Sequence, residues 1–269
     1  MDEQRITVDD QELAYAQSEG QGRPVIFVHG NSSSSRTWNG LLAGPFGQRY
    51  RCLAFDLPGH GDSAADRENY SLPGYARTLA AFAEATDATE AVIVGWSLGG
   101  HIALEAAASL PAAAGYIVFG TPPVSSAAQM PEAFLPNPAM NVGFTAAVTP
   151  EEARTYSASF TAPGSTLSLD DFVTDILRTD GEARAALFAS VLEGRFTDEL
   201  AITDALPQPL AILHGEAEQL VNLAYLQKLT IPTLWRSTIQ VIPSVGHALH
   251  QEALETFTTL LDQFLADLT

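Results

Sequence analysis

Short apolar runs alternate with longer stretches of helical pattern along most of the chain. The apolar runs stop at glycine, proline or a polar residue, as buried strands do; they cover 24–29, 51–56, 91–94, 115–120 and 209–214. The stretches of helical pattern predict helices over 37–49, 72–86, 101–108 and 248–268. Strands that alternate with helices at this spacing form a parallel sheet with helices on both faces.

Three further strands complete the predicted sheet. Residues 5–9 and 12–17 are two short strands around the turn Asp9-Asp10-Gln11, which predicts a hairpin at one edge of the sheet. A last strand is predicted over 238–242. The fold class is therefore α/β, with a mostly parallel sheet of eight strands.

The alternation fails between residues 124 and 207. This stretch has a helical pattern that prolines interrupt, and the helices predicted in it cover 150–160, 168–178 and 182–192. We interpret it as an inserted helical cap. The core domain then consists of residues 1–123 and 208–269, and the cap of residues 124–207.

Composition and charge narrow the function classes. The net charge is −19, from 13 basic and 32 acidic residues, which argues against binding nucleic acid or an anionic membrane. Cys52 is the only cysteine, so an internal disulfide and a cysteine-based metal site are excluded. The N-terminus lacks the apolar segment of a signal peptide, and no apolar run approaches the ~18 residues of a membrane span. We expect a cytoplasmic monomer without a cofactor or metal.

The chemistry centres on a serine between a strand and a helix. The apolar run 91–94 leads into Gly95-Trp96-Ser97-Leu98-Gly99, and a helix follows. Such a turn holds the serine in a strained conformation, and side chains at Gly95 and Gly99 would collide with the strand or the helix. This pattern predicts that Ser97 is a nucleophile exposed at the edge of the sheet.

A serine needs a base to remove its proton and an acid to orient the base. His247 follows the last strand on a loop, which favours it as the base over His250 three residues on. Glu218, in the loop after strand 209–214, is favoured as the acid over Glu216, and the alternative is that this is a solvated acidic loop. The order serine, acid, histidine is the order that this kind of fold requires.

An oxyanion formed by attack of the serine needs preorganised donors. The backbone N–H of Leu98 is predicted to lie at a helix N-terminus, and the N–H of Asn31 is the natural second donor; the alternative is that Asn31 is a simple turn residue. His29 is expected to brace the loop beside the site. We expect His101, in the helix behind the serine, to be a core or surface residue.

Together these residues resemble the α/β-hydrolase family over nearly the whole chain. The motifs are His29-Gly30-Asn31, residues 56–61, the Ser97 turn and Gly246-His247, and they fall in the order of the family. One departure is that the acid is glutamate where most members carry aspartate.

A narrower resemblance is to the metal-independent N-acyl-homoserine lactonases, which are quorum-quenching enzymes of this fold. The motifs that carry it are residues 29–34, 95–102, 120–124 and 178–181. These enzymes also use glutamate as the acid. The resemblance implies that Ser97 opens the lactone ring through an acyl-enzyme. It also implies that Tyr156 matches a cap tyrosine that reaches the substrate.

The implied substrate is a small neutral lactone or ester with an apolar acyl chain, which suits an acidic protein. The aromatic residues Phe134, Phe144, Trp38 and Trp96 could line the site of the acyl tail, or could equally be ordinary core. Two alternatives remain open, a carboxylesterase of broad specificity on the same residues and a small-molecule receptor of the same fold. An aspartate nucleophile is absent at position 97, which disfavours dehalogenase and epoxide hydrolase chemistry.

Overall fold

A computed structural model describes residues 3–268. Over these residues eight strands form one sheet: β1 (Gln4–Val8), β2 (Gln11–Gln17), β3 (Gly22–Val28), β4 (Tyr50–Phe55), β5 (Val92–Trp96), β6 (Gly115–Phe119), β7 (Leu210–Gly215) and β8 (Gln240–Ile242). The strand order is β1-β2-β4-β3-β5-β6-β7-β8. The β1–β2 and β2–β4 pairs are antiparallel and the other pairs are parallel. The predicted α/β sheet of eight mostly parallel strands is confirmed, and β5 lies at its centre.

Helices cover both faces of the sheet. Those from the first half of the chain are α1 (Asn39–Ala43), α2 (Pro45–Arg49), α3 (Leu72–Ala85), α4 (Leu98–Glu105) and α5 (Met130–Ala133). Those from the second half are α6 (Pro150–Ala158), α7 (Asp170–Arg178), α8 (Gly181–Leu192), α9 (Glu199–Ala205), α10 (Leu223–Leu226), α11 (Leu249–Glu252) and α12 (Leu254–Asp267). Side chains alternate between two apolar clusters along each central strand, because successive residues of a strand face opposite sides. Ile93 packs in one cluster, whereas Val92, Val94 and Trp96 pack in the other.

The helix predicted over 37–49 is divided. A short 3₁₀ turn at Ser35–Trp38 leads into α1, and Gly44 separates α1 from α2 with φ −83° and ψ −176°. Gly44 precedes Pro45, and a proline ring disfavours the helical conformation of the residue before it. The interruption is therefore a local effect of the sequence.

The C-terminal helix predicted over 248–268 is also divided, at Ala253, whose φ of −135° separates α11 from α12. The longest helices, α3 and α12, have 14 residues each. None of the helices within residues 3–268 is long and apolar enough to cross a membrane. The cytoplasmic location and the monomeric state stay predictions.

The stretch 124–207 contains α5 to α9, and several polar contacts tie it to the rest of the chain. Asp175 on α7 accepts a hydrogen bond from Ser34 Oγ at 2.7 Å and also pairs with Arg36. Farther along, Asp180 accepts from Tyr70 Oη at 3.0 Å. The division of the chain into a core domain and an inserted cap stays a prediction.

Candidate active site

Ser97 lies at the turn between β5 and α4, with φ 53° and ψ −118°. This left-handed conformation is strained for a residue with a side chain. The flanking glycines allow the turn: a Cβ on Gly95 would lie 2.4 Å from Gly99 O, and a Cβ on Gly99 would lie 2.2 Å from Val28 O. The chain therefore holds Ser97 above the carboxyl end of β5 by close packing of backbone on backbone.

His247 and Glu218 form a buried pair. His247 lies in the loop between β8 and α11, and its Nδ1 is 2.8 Å from Glu218 Oε2 in the loop after β7. Both side chains are 2% exposed. The ring of His247 packs over Gly120 at the end of β6, where a Cβ would lie 2.5 Å from its Cε1. The imidazole is thus placed over the strand next to β5, and Ser97 and His247 line the same cavity.

The environment of Glu218 favours its ionised form. Burial raises the pKa of a carboxyl, but the neighbouring His247 ring, with its hydrogen bond, and the N–H of Leu220 lower the pKa of Glu218 overall. The Leu220 N–H donates to Glu218 Oε1 at 2.8 Å. Each carboxylate oxygen therefore has one donor, and the side chain has a single orientation.

The two alternative residues lie elsewhere. Glu216 is exposed and accepts a hydrogen bond from Ser244 N–H at 3.0 Å. His250 is buried beneath the site with its Nε2 2.7 Å from Thr37 Oγ1. Burial, together with the nearby His247, lowers the pKa of His250 well below its usual value. Neither residue is among those that line the cavity of Ser97.

Two backbone donors face the region of the turn. Within residues 3–268 the N–H groups of Leu98 and Asn31 donate to no protein acceptor. Leu98 is the first residue of α4, where N–H groups are unpaired and the helix dipole favours negative charge. The Asn31 loop packs on the turn, since a Cβ on Gly30 would lie 3.3 Å from Ser97 Cβ. The Asn31 side chain donates to Gly143 O at 2.7 Å.

His29 ends β3 and holds this loop in place. Its Nδ1 is 2.8 Å from Gly30 O, and its Nε2 accepts from Leu57 N–H at 3.0 Å. Burial lowers the pKa of His29 to about 4, so the ring stays neutral and can accept at Nε2. The predicted bracing contact is present.

A cavity opens above Ser97 and encloses about 860 Å³, including its opening to solvent. Its polar lining residues are Asn31, Ser97, His101, Tyr156, Glu199 and His247. Leucine, valine, methionine and phenylalanine side chains form the rest of the wall. A concave apolar site with few polar groups is typical of a pocket for a small organic ligand.

The aromatic residues predicted to line the acyl site divide into two groups. Phe134, Phe144 and Tyr156 line the cavity. The prediction for Trp38 and Trp96 is wrong, because both side chains are 1% exposed and pack in the core. Trp96 faces the same side of β5 as the valines before it, and its Nε1 donates to the backbone carbonyl of His247 at 3.0 Å.

Tyr156 presents an unused hydroxyl to the cavity. The residue is 7% exposed, and its Oη makes no hydrogen bond to any residue from 3 to 268. Burial raises the pKa of Tyr156, so the hydroxyl keeps its proton and can donate it in a hydrogen bond. The position fits the residue that the resemblance singled out, and its contact with a substrate stays a prediction.

Sequence reasoning missed a second histidine–glutamate pair in the cavity wall. His101, expected in the core or on the surface, has its Nδ1 2.7 Å from Glu199 Oε1. His101 follows Ser97 by four residues on α4, and this spacing places two residues on one face of a helix. That spacing pointed to His101, but nothing local pointed to Glu199. Across the described part of the chain, no three His, Cys, Asp or Glu side chains are grouped as metal ligands would be.

Comparison with known proteins identifies the family. Residues 25–259 match the model of the alpha/beta hydrolase family. A non-heme haloperoxidase from Rhodococcus erythropolis is 25% identical over 275 aligned residues, covering 97% of this chain and 98% of the relative. A non-heme chloroperoxidase from Streptomyces lividans is 28% identical, covering 87% of this chain and 89% of the relative.

Solved structures of the N-acyl homoserine lactonase AidH are similar over the full length. A variant complexed with N-hexanoyl homoserine lactone is 30% identical with a TM-score of 0.95, covering 100% of this chain and 99% of that one. The same enzyme complexed with N-butanoyl homoserine is 31% identical with a TM-score of 0.95, covering 100% and 98%. The family model matches most of the chain, so this protein belongs to the alpha/beta hydrolase family.

Proposed function

We propose that this hydrolase opens the lactone ring of N-acyl-homoserine lactones, with Ser97 as nucleophile, His247 as base and Glu218 as the acid that orients it. The observation that carries the proposal is the buried Glu218–His247 hydrogen bond in the wall of the apolar cavity that Ser97 also lines. The chain is a hydrolase that acts on ester bonds, and a lactone is a cyclic ester. Removal of such lactones would be a quorum-quenching activity.

The first half of the reaction forms an acyl-enzyme. His247 Nε2 takes the proton of Ser97 Oγ as the oxygen attacks the ring carbonyl carbon. Glu218, ionised at neutral pH, stabilises the resulting imidazolium through Nδ1–H. The tetrahedral intermediate then breaks the bond between the carbonyl carbon and the ring oxygen. His247 returns the proton to that oxygen, which becomes the hydroxyl of a homoserine ester on Ser97.

Negative charge develops on the carbonyl oxygen during both halves of the reaction. The free N–H groups of Leu98 and Asn31 would hold it, and the N-terminus of α4 would favour it. In the second half, a water gives its proton to His247 and attacks the ester carbonyl. Ser97 leaves with the proton from His247, and N-acyl homoserine is released.

The cavity supports a neutral substrate with an apolar tail. Its wall is apolar apart from six polar residues, and the chain carries a net charge of −19, which disfavours an anionic substrate. The hydroxyl of Tyr156 would donate to the acyl amide oxygen of the substrate. The likeness to the lactonase structures extends over 100% of the chain and so includes residues 124–207, the predicted cap, whose shape would decide acyl preference.

The rates on a ring and on an open ester test this proposal. We expect kcat/KM for N-hexanoyl-homoserine lactone to exceed that for the methyl ester of N-hexanoylhomoserine by at least about tenfold, since the ring fits a site shaped for it. A Ser97→Ala variant should act on neither. A faster reaction of the open ester would favour the carboxylesterase alternative, and tight binding without turnover would favour the receptor alternative.

A further inference from the structure

The pair of His101 and Glu199 is separate from the pair of His247 and Glu218, yet it lines the same cavity. The Glu199 side chain is 1% exposed and that of His101 is 15% exposed. A buried carboxylate is retained only where it is paired and hydrogen-bonded, because its desolvation is costly. Here Glu199 Oε1 contacts His101 Nδ1 at 2.7 Å, and Oε2 accepts from Val124 N–H at 2.9 Å.

These contacts leave one polar atom of the pair unused. A carboxylate only accepts hydrogen bonds, so Nδ1 of His101 carries a proton, and in the neutral form of the ring Nε2 has a lone pair. Within residues 3–268, Nε2 has no hydrogen-bond partner and keeps some accessible surface, and His101 lines the cavity. The atom is therefore a fixed hydrogen-bond acceptor, oriented by Glu199.

The surroundings of this acceptor are apolar. The ring of Phe134 lies 6.5 Å from that of His101, and Val191 and Phe196 also line this cavity. An acceptor set beside apolar side chains favours a ligand that brings a hydroxyl group among methylene groups. A ligand with only methylene groups would leave the acceptor without a partner, which costs binding free energy.

The spacing from the nucleophile fits one position of the acyl chain. His101 follows Ser97 by four positions, and four positions correspond to about 6 Å along the axis of α4. In an N-acyl-homoserine lactone, the third carbon of the acyl chain lies roughly 6 Å from the ring carbonyl when the chain is extended. A hydroxyl on that carbon would therefore reach His101 while the ring carbonyl is at Ser97.

We infer that His101, held by Glu199, is a specificity-determining residue that accepts a hydrogen bond from a hydroxyl group on the third carbon of the acyl chain. The inference rests on the proposed function, because the spacing assumes a lactone carbonyl at Ser97. It makes 3-hydroxyacyl homoserine lactones the preferred substrate class over unsubstituted chains of equal length.

Binding to the Ser97→Ala protein tests this recognition without turnover. Calorimetry should give about tenfold tighter binding of N-(3-hydroxyhexanoyl)-homoserine lactone than of N-hexanoyl-homoserine lactone. Adding His101→Phe, which keeps an aromatic ring without the acceptor, should bring the ratio close to one. Equal affinities in the Ser97→Ala protein, or a ratio that His101→Phe leaves unchanged, would overturn the inference.

Glu199→Gln, also made in the Ser97→Ala protein, is a second variant. Its expected result would not arise if the pair of His101 and Glu199 only held the fold together. The amide oxygen can still accept from Val124 N–H, while the amide N–H₂ donates to Nδ1 of His101 and moves the ring proton to Nε2. Nε2 then becomes a donor, so binding of the 3-oxo chain relative to the unsubstituted chain should rise several-fold. If the pair only ties α9 to α4, both variants lower thermal stability and leave the ratios unchanged, which overturns the inference.

Turnover of N-hexanoyl-homoserine lactone by the wild-type protein is measured in parallel. No turnover, together with a retained binding preference, contradicts the proposed function and leaves the recognition by His101 in place. Turnover with equal affinities for the two chains contradicts the recognition alone.

Discussion

His247 Nδ1 lies 2.8 Å from Glu218 Oε2, and the two side chains are each 2% exposed. Burial makes this hydrogen bond stronger than a surface pair, because little water competes for either group. The carboxylate fixes the tautomer in which Nε2 of His247 has the lone pair. The pair is therefore set to take a proton on the side that faces the cavity.

Substitution of the three residues should separate their roles. We expect Ser97→Ala and His247→Ala to lower kcat by about a thousandfold or more, and Glu218→Gln by less, since the amide keeps the shape but loses the charge. Glu216→Gln is the matched control two residues away and should retain wild-type kinetics. Steady-state rates on N-hexanoyl-homoserine lactone measure this. Equal effects of the two glutamate substitutions would contradict the assignment of Glu218.

The serine turn should not tolerate a single methyl group. We expect Gly99→Ala to abolish most activity and to lower the free energy of unfolding by about 1–3 kcal/mol, because the Cβ would meet the carbonyl oxygen of Val28 at 2.2 Å. The matched control is Gly40→Ala in α1, where the nearest atom is the end of the Leu254 side chain at 3.3 Å. Urea unfolding and initial rates measure both. Wild-type activity in Gly99→Ala would show that the packing of the turn is looser than described.

Two buried histidines should make the fold sensitive to acid. Burial lowers the pKa of His29 to about 4, and burial with the nearby His29 lowers the pKa of His60 to about 3, from 6.5 for each. As the pH falls below 6.5, the unfolded chain binds protons that the folded chain does not, so stability is lost. Between pH 7 and pH 5, each of the two rings should lower the free energy of unfolding by on the order of 2 kcal/mol.

Urea unfolding of the wild type and of His60→Gln at pH 7 and pH 5 tests this. The variant is expected to be less stable at pH 7 but to lose about 2 kcal/mol less on acidification. The difference between the two pH values is the readout, so a lower starting stability does not obscure it. Equal losses in the two proteins would show that His60 is not kept neutral by the fold.

The buried contact of Asp175 with Ser34, which joins residues 124–207 to the loop after β3, should contribute more to stability than an exposed ion pair on the same helix. We expect Asp175→Ala to lower the free energy of unfolding by about 1–3 kcal/mol, because the fully buried Ser34 hydroxyl loses its acceptor. The control is Asp170→Ala on the same helix, whose pair with Arg154 is exposed (77% and 60%) and should contribute little. Thermal unfolding of the two variants measures this, and a similar change in both would contradict it.

The fold could be predicted from the sequence because local patterns decide it. Short apolar runs such as 91–94 are typical of strands in a sheet that is covered on both faces. The glycines around Ser97 allow the turn that follows. The prediction of one helix over 37–49 missed the interruption at Gly44, although Pro45 directly follows it. The pairing of Glu218 with His247 followed from the order of loops at the carboxyl ends of the strands.

The pocket could not be predicted in the same way. The aromatic character of a residue does not indicate which side of a strand its side chain faces. Trp96 packs in the core on the same side of β5 as Val92 and Val94. His101 and Glu199 are 98 residues apart, so only the packing of α9 on α4 brings them together. Contacts of this kind depend on tertiary structure rather than on local pattern.

The identity of the product tests the central claim most directly. Mass spectrometry of N-hexanoyl-homoserine lactone incubated with the wild-type protein should give one product heavier by the mass of one water, with no free hexanoic acid. The Ser97→Ala protein should give none. Release of hexanoic acid and homoserine lactone, or water addition that persists in Ser97→Ala, would contradict ring opening by Ser97.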